Sequence, residues 1–172
     1  MTGASAPLSI APATPADVPI LFELVQALAA YEQLTHEVTG TAADLHQHLF
    51  GDRPYAEAVV ARLGSTPVGF ALFFHNFSTF LMRPGLYLED LFVLPDYRGH
   101  GIGKALLGYL GQVAVTRGCG RLEWQVLDWN ETAIAFYNRM GADIKTEWQL
   151  CRVTGSALTT LATLGQVTDI RA

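Results

Sequence analysis

The stretch Leu86-Tyr87-Leu88-Glu89-Asp90-Leu91-Phe92-Val93-Leu94-Pro95-Asp96-Tyr97-Arg98-Gly99-His100-Gly101-Ile102-Gly103-Lys104 decides how this chain is read. A strongly apolar strand ends at Leu94-Pro95, and a glycine-rich turn from Arg98 opens a helix expected over Gly101 to Arg117. That helix carries Ile102, Leu106, Tyr109, Leu110 and Val113 on one face. Glycines at a helix mouth permit left-handed backbone angles and let successive N–H groups converge on an anion. The helix N-terminus adds unpaired donors and positive partial charge. Arg98, His100 and Lys104 crowd the same turn, although the helix dipole mildly disfavours a cation there. Three such groups make better sense with an anion present. The alternative is a glycine-rich turn with solvated basic residues. A P-loop is excluded, because Gly103-Lys104 is followed by Ala105 where Ser or Thr is required. A dinucleotide fingerprint belongs to a first strand–helix unit, whereas this turn follows several antiparallel strands.

Upstream of this stretch, Leu8 to Ala11 is a strand candidate, and Thr14-Pro15-Ala16-Asp17 has the signature of a helix start. Ile20, Leu21, Leu24, Leu28 and Tyr31 recur behind it at helical spacing, and Thr41-Ala42-Ala43-Asp44 starts a shorter helix ending near Phe50. Ala56 to Leu63 and Val68 to Phe77 form a hairpin across Gly64-Ser65-Thr66-Pro67, with a second turn at Arg83-Pro84-Gly85. Downstream, a strand over Leu122 to Leu127 precedes a helix from about Glu131 to Met140. Strand material then runs to Val153, and a terminal helix is expected over Ala157 to Leu164. Antiparallel hairpins followed by a strand–helix–strand unit predict a mixed α/β sheet in one domain, residues 1–172. No function can be read from the segment after Val153.

The chain has 172 residues, of which 50% are hydrophobic and 16% charged, so it can build a full core and is not disordered. A net charge of −5 argues against nucleic acid or an anionic membrane as partner. Cys119 and Cys151 are too few for a disulfide framework and form no Cys-x-x-Cys pair. His36, His46, His48 and His75 show no metal spacing, so no metal is expected. There is no secretory pattern in Met1 to Pro7 and no apolar run of membrane-spanning length, so a cytoplasmic protein is expected.

The pattern Arg98-x-x-Gly101-x-Gly103 after an apolar strand resembles the acyl-CoA pyrophosphate loop of the GNAT superfamily of N-acetyltransferases. A second block, Asn130-Glu131-Thr132-Ala133-Ile134-Ala135-Phe136-Tyr137 closed by Gly141-Ala142, is similar to that family at its usual separation. Tyr31-Glu32-Gln33-Leu34, Tyr87 to Val93, Asp96-Tyr97-Arg98-Gly99 and Val126 to Asn130 resemble its spermidine/spermine and thialysine acetyltransferase branch. The resemblance implies a GNAT fold: a mostly antiparallel twisted sheet of six to seven strands flanked by about four helices. It also implies transfer of acetyl from acetyl-CoA, with CoA as product, to a small aliphatic amine by a homodimer.

Site roles follow from the resemblance. Glu89 is the candidate base, acting through water, and an ammonium anchor. Its alternative is an edge-strand carboxylate or a structural ion pair. Asp90, on the opposite face of a regular strand, is expected to be structural unless a bulge redirects it. Tyr137 is the candidate acid for the departing thiolate, although it also lies on a helical stripe with Ala133, Phe136 and Met140 that would suit a core tyrosine. Backbone groups of Leu91, Phe92 and Val93 would hold the pantetheine arm. Arg98, Gly99, His100, Gly101, Ile102, Gly103 and Lys104 would hold the pyrophosphate. Asn130, Glu131, Thr132 and Ala133 would meet the cofactor from the next helix, with Asn130 also suited to cap it. Tyr31, Glu32, Glu123, Trp124 and Gln125 occupy substrate-contacting positions. A single acid, Glu37, in Gln33 to Glu37 favours a lysine-like or thialysine-like amine over a long polyamine. Rival readings are a protein N-terminal or lysine acetyltransferase and a non-catalytic acyl-CoA sensor. Glu89 and Tyr137 together argue against the latter.

Overall fold

A computed structural model describes residues 6–165, which divide into two compact units between Trp129 and Asn130. In the first unit β1 (Leu8–Pro12), α1 (Val18–Tyr31) and α2 (Ala42–Phe50) precede β2 (Glu57–Leu63), β3 (Thr66–Ser78) and β4 (Arg83–Val93). Then come α3 (Ile102–Thr116) and β5 (Leu122–Glu123). The second unit holds α4 (Glu131–Arg139) and α5 (Gly155–Ala162).

Both upstream helix starts form as the side chains dictate. Asp17 Oδ2 accepts from the Thr14 backbone N–H and from Thr14 Oγ1, each at 2.8 Å, and a single 3-10 turn over Pro15–Asp17 leads into α1. At α2 the exchange is reciprocal. Thr41 Oγ1 accepts from the Asp44 N–H at 3.2 Å, and Asp44 Oδ2 accepts from the Thr41 N–H at 2.9 Å.

The sheet runs in order β1-β2-β3-β4-β5, antiparallel throughout except for the parallel pair β4 and β5. Ala58, Val59, Val60 and Ala61 of β2 are all buried, which requires cover on both faces. One face carries Ala58, Val60, Phe70 and Phe92, packed with Leu21 and Leu24 of α1 and Leu49 of α2. On the other side α3, with Leu106 and Leu110 fully buried, packs against β4 and β3.

Several sequence expectations need correction. The sheet has five strands and the described residues hold five helices, against six to seven and about four. The hairpin between β2 and β3 turns on Gly64 and Ser65 alone, with Gly64 at φ 59°. Arg83-Pro84-Gly85 lies inside β4, and residues 79–82 make the turn, with Met82 at φ 50°. The strand expected over Leu122 to Leu127 stops at Glu123. Its ladder covers only Leu86 with Leu122 and Tyr87 with Glu123, because β4 bulges at the next turn of the pleat. No strand forms over residues 143–153, where Trp148, Leu150 and Val153 stay exposed. Alternation shows which side chains a strand could bury, but a ladder also needs a partner edge.

Candidate active site

The register of β4 against β3 slips between Leu72 and Phe73. Leu72 pairs with Asp90 and Phe73 pairs with Leu88, leaving Glu89 as the extra residue of a β-bulge. Opposed residues share a face, so Asp90 lies beside Phe92 on the α1 side of the sheet. Regular alternation would have placed it with Leu86 and Leu88. Glu89 itself is exposed.

Burial first, then the charges of Glu89 and Glu32, raise the Asp90 pKa to about 6. Burial also raises that of Glu32, the residue capping the end of α1. Three carboxylates thus share one locality, and no cation among the described residues forms an ion pair with any of them. Among the described residues no cluster of three or more His, Cys, Asp or Glu could hold a metal ion.

Five residues beyond Val93 comes the glycine-rich turn. Gly99 and Gly101 both take left-handed angles, φ 79° and 81°, and a Cβ added at either would meet nothing within 4 Å. Gly101 is the N-cap of α3, which starts without a side-chain cap, so its first N–H groups remain open to a ligand. Open space, glycine angles and free helix-mouth donors fit a diphosphate. Leu91 to Val93 lie beyond the end of the β5 ladder, which frees that edge of β4 for an extended arm.

Two of the basic side chains at the turn also brace it. His100 Nδ1 carries the hydrogen and donates to the Arg98 carbonyl at 2.8 Å. Arg98 Nε donates to the Val93 carbonyl at 2.9 Å, and its guanidinium lies 4.2 Å from the Tyr31 ring centroid. Tyr31 in turn meets Phe92 at 6.2 Å and Trp129 at 6.4 Å, ring centre to ring centre. Tyr31 and Glu32, the expected substrate residues, therefore adjoin the glycine-rich turn and the bulge.

Glu123 does not join them freely. Its Oε2 accepts from Asn76 Nδ2 at 2.8 Å and pairs with Arg121 Nε at 2.7 Å. Trp124 and Gln125 lie past the end of β5. In the second unit Asn130 is buried, and its side chain accepts from the Ala133 N–H at 3.2 Å, which caps α4 ahead of Glu131, Thr132 and Ala133. Tyr137, on α4, is 8% exposed and packs against Phe136 at 5.2 Å.

The bulge that the sequence reading allowed for at Asp90 is present. The signal was present: in Leu88-Glu89-Asp90-Leu91-Phe92, apolar residues of both parities flank two successive acids, which no single alternation accommodates.

Residues 23–142 match the Acetyltransferase (GNAT) family, well over half the chain. This chain belongs to that family. As a GNAT protein it is an enzyme of the acyltransferase class. It is 36% identical to the L-ornithine N5-acetyltransferase NATA1 of Arabidopsis thaliana, over 85% of this chain and 84% of the relative. It is also 36% identical to the thialysine N-epsilon-acetyltransferase of Bos taurus, over 83% of this chain and 89% of that one, which bears out the resemblance to the thialysine branch. Among solved structures, an integron cassette protein from the mobile metagenome of V. cholerae matches with a TM-score of 0.75 and 27% identity, covering 93% of this chain and 99% of the other. Within the described residues no helix is long and apolar enough to cross a membrane.

Proposed function

We propose that this GNAT enzyme transfers an acetyl group from acetyl-CoA to the primary amine of a small aliphatic molecule. The amine is lysine-like, in the manner of thialysine or ornithine. The observation that carries the reading is the set of carboxylates at the bulge, Glu89 and Asp90 with Glu32, beside a turn suited to a diphosphate. Ornithine and thialysine are the substrates named for two similar enzymes. The family match runs across the junction at Trp129, which supports treating residues 1–172 as one catalytic domain.

An aliphatic amine with a pKa near 10.4 is neutral in roughly one molecule in 2,500 at pH 7, a deficit of about 4.6 kcal/mol. The site must attract the ammonium and then take its proton. Burial first, and then repulsion from Glu89 and Glu32, raise the Asp90 pKa, and a bound cation relieves the repulsive part. With a pKa of about 6, Asp90 is still mostly ionised at pH 7 and yet holds a proton more firmly than an ordinary carboxylate. Glu89, exposed at the bulge, is the outlet through water.

Bound acetyl-CoA supplies the activated acyl group as a thioester. Gly99 to Lys104 would hold its diphosphate through backbone N–H groups, with Lys104 adding charge, and α4 would add contacts from Asn130 to Ala133. Backbone groups of Leu91 to Val93 would align the arm and donate to the carbonyl oxygen as negative charge develops there. Tyr137, matching the family's catalytic tyrosine, would donate its phenolic hydrogen to the sulfur. The same reading makes the enzyme a cytoplasmic homodimer. Light scattering checks the dimer.

Purified enzyme with acetyl-CoA should release thiol fastest with lysine analogues and diamines, and more slowly with polyamines, aminoglycosides and short peptides. Preference for peptides would replace this reading with protein acetylation. No turnover with any amine, but retained CoA binding, would leave a sensor. Glu89→Gln should slow turnover most at neutral pH, and an unchanged pH profile would remove Glu89 from proton transfer.

A further inference from the structure

We propose that Arg98 and Tyr31 form a positioning couple, which ties the end of α1 to the glycine-rich turn so that a side chain on the amine side also sets affinity for the diphosphate of CoA. The inference rests on the assignment of that turn to CoA.

Arg98 stands directly before Gly99, where a cation would ordinarily reach for phosphate. Its side chain is held by groups of the protein itself. Nε is committed to the Val93 carbonyl at 2.9 Å, and the guanidinium lies 4.2 Å from the Tyr31 ring centroid and 5.3 Å from that of Phe92. A guanidinium over an aromatic face is held by the ring quadrupole as well as by contact. Phe92, only 3% exposed, anchors the stack in the sheet core.

Tyr31 is a firm platform. It is the last residue of α1, and the helix closes behind it with Glu32 N–H donating to Leu28 O at 2.9 Å and Leu34 N–H to Ala29 O at 2.8 Å. Gln33 takes φ 61° to complete that turn. Phe92 and Trp129 flank the ring at 6.2 and 6.4 Å. The ring position is thus set by the helix end, and Arg98 carries it to the backbone of Gly99 to Gly101. If Tyr31 yields, Arg98 loses its seat and the left-handed glycines lose the brace that aims their N–H groups. Lysine cannot take over this role, because a compact ammonium neither stacks flat nor keeps Nε on the Val93 carbonyl.

Calorimetric titration of CoA, with no amine present, reads the couple directly. Tyr31→Leu removes the aromatic face and should weaken CoA binding about three- to tenfold. Tyr31→Phe keeps the face and should hold the wild-type Kd for CoA. Arg98→Lys keeps the charge and should weaken binding by a similar factor. The double variant Y31L/R98K should be no weaker than the weaker single one, as expected of one shared interaction. Wild-type affinity in Tyr31→Leu overturns the proposal, as does a double variant whose losses multiply. Should Tyr31→Leu fail to fold, Arg98→Lys still decides the matter: a direct phosphate contact would survive with lysine, so undiminished affinity there also overturns it. A wild-type enzyme that binds no CoA would remove the proposed function and this couple together, whereas wild-type binding that Tyr31→Leu leaves intact removes the couple alone.

Discussion

Replacing Asp90 by Asn should stabilise the protein at neutral pH while impairing it as an enzyme. In the folded chain burial, reinforced by Glu89 and Glu32, raises the Asp90 pKa from 3.8 to about 6. That shift is worth at most about 3 kcal/mol in favour of the neutral form. Between those two pH values the folded protein holds a proton that the unfolded chain has released, so wild-type stability falls as pH rises through the window. Below the window Asp90 is neutral in both states and costs nothing. Above it, the ionised side chain burdens the folded state with the full amount. Asparagine does not titrate, so the advantage of Asp90→Asn over wild type should grow by up to about 3 kcal/mol between pH 4 and pH 7. For a chain of this size that corresponds to about 6 to 12 °C in melting temperature. Guanidinium unfolding followed by circular dichroism at unit steps from pH 4 to pH 8 measures it. Amine turnover at pH 7 should drop in the same variant, since an amide neither balances an ammonium nor accepts its proton. A stability difference flat across pH would refute the burial argument. Intact turnover would refute the role at the amine.

The other perturbations separate cofactor, acid and scaffold. Tyr137→Phe should lower turnover by a factor on the order of 10² while leaving CoA affinity close to wild type, as expected of a lost proton donor; unchanged turnover would make Tyr137 a core residue only. Gly101→Val forces a β-branched side chain to φ 81° and places methyl groups in the open space before the helix mouth. It should abolish CoA binding by calorimetry with a native circular dichroism spectrum retained, and intact binding would count against the diphosphate turn. Thr41→Ala removes the cap of α2 and should cost about 1 kcal/mol in denaturant unfolding with no change in KM for either substrate.

How far the residues announce this architecture depends on how local each cause is. The capping box at Thr41 and Asp44 and the Asn130 cap of α4 are decided within four residues, and the chain forms them where the pattern says. The turn at Gly99 to Gly101 is equally local, because only glycine tolerates its angles at low cost. The stacking of Arg98 is not local: that its guanidinium meets the Tyr31 ring depends on where α1 ends, 67 positions earlier by sequence number. The partners of the Glu123 carboxylate are not local either, since Asn76 comes from a different strand. Strand ends fail for the same reason. Leu122 to Leu127 has the composition of a strand, but its length is set by how far β4 stays straight beside it.

The bulge at Glu89 reconciles two demands that a regular strand could not meet together. Phe92 has to join Leu21, Leu24, Val60 and Phe70 on one face of the sheet, while Leu86 and Leu88 are buried on the other. Counting by twos from Leu86 would place Asp90 and Phe92 on the same side as Leu88, which would strip the α1 face of its central ring and bury the acid beneath α3. One added residue resets the count. Tyr87, Asp90 and Phe92 then share the α1 face, and Leu86, Leu88, Leu91 and Val93 share the opposite one. The reset brings Asp90 within electrostatic reach of Glu32 and leaves Glu89 in solvent beside it. It also ends the β5 ladder at Tyr87, which exposes the edge at Leu91 to Val93. The carboxylate cluster and the free strand edge are therefore consequences of the same extra residue, and their adjacency to the glycine-rich turn follows from the short run between Val93 and Arg98.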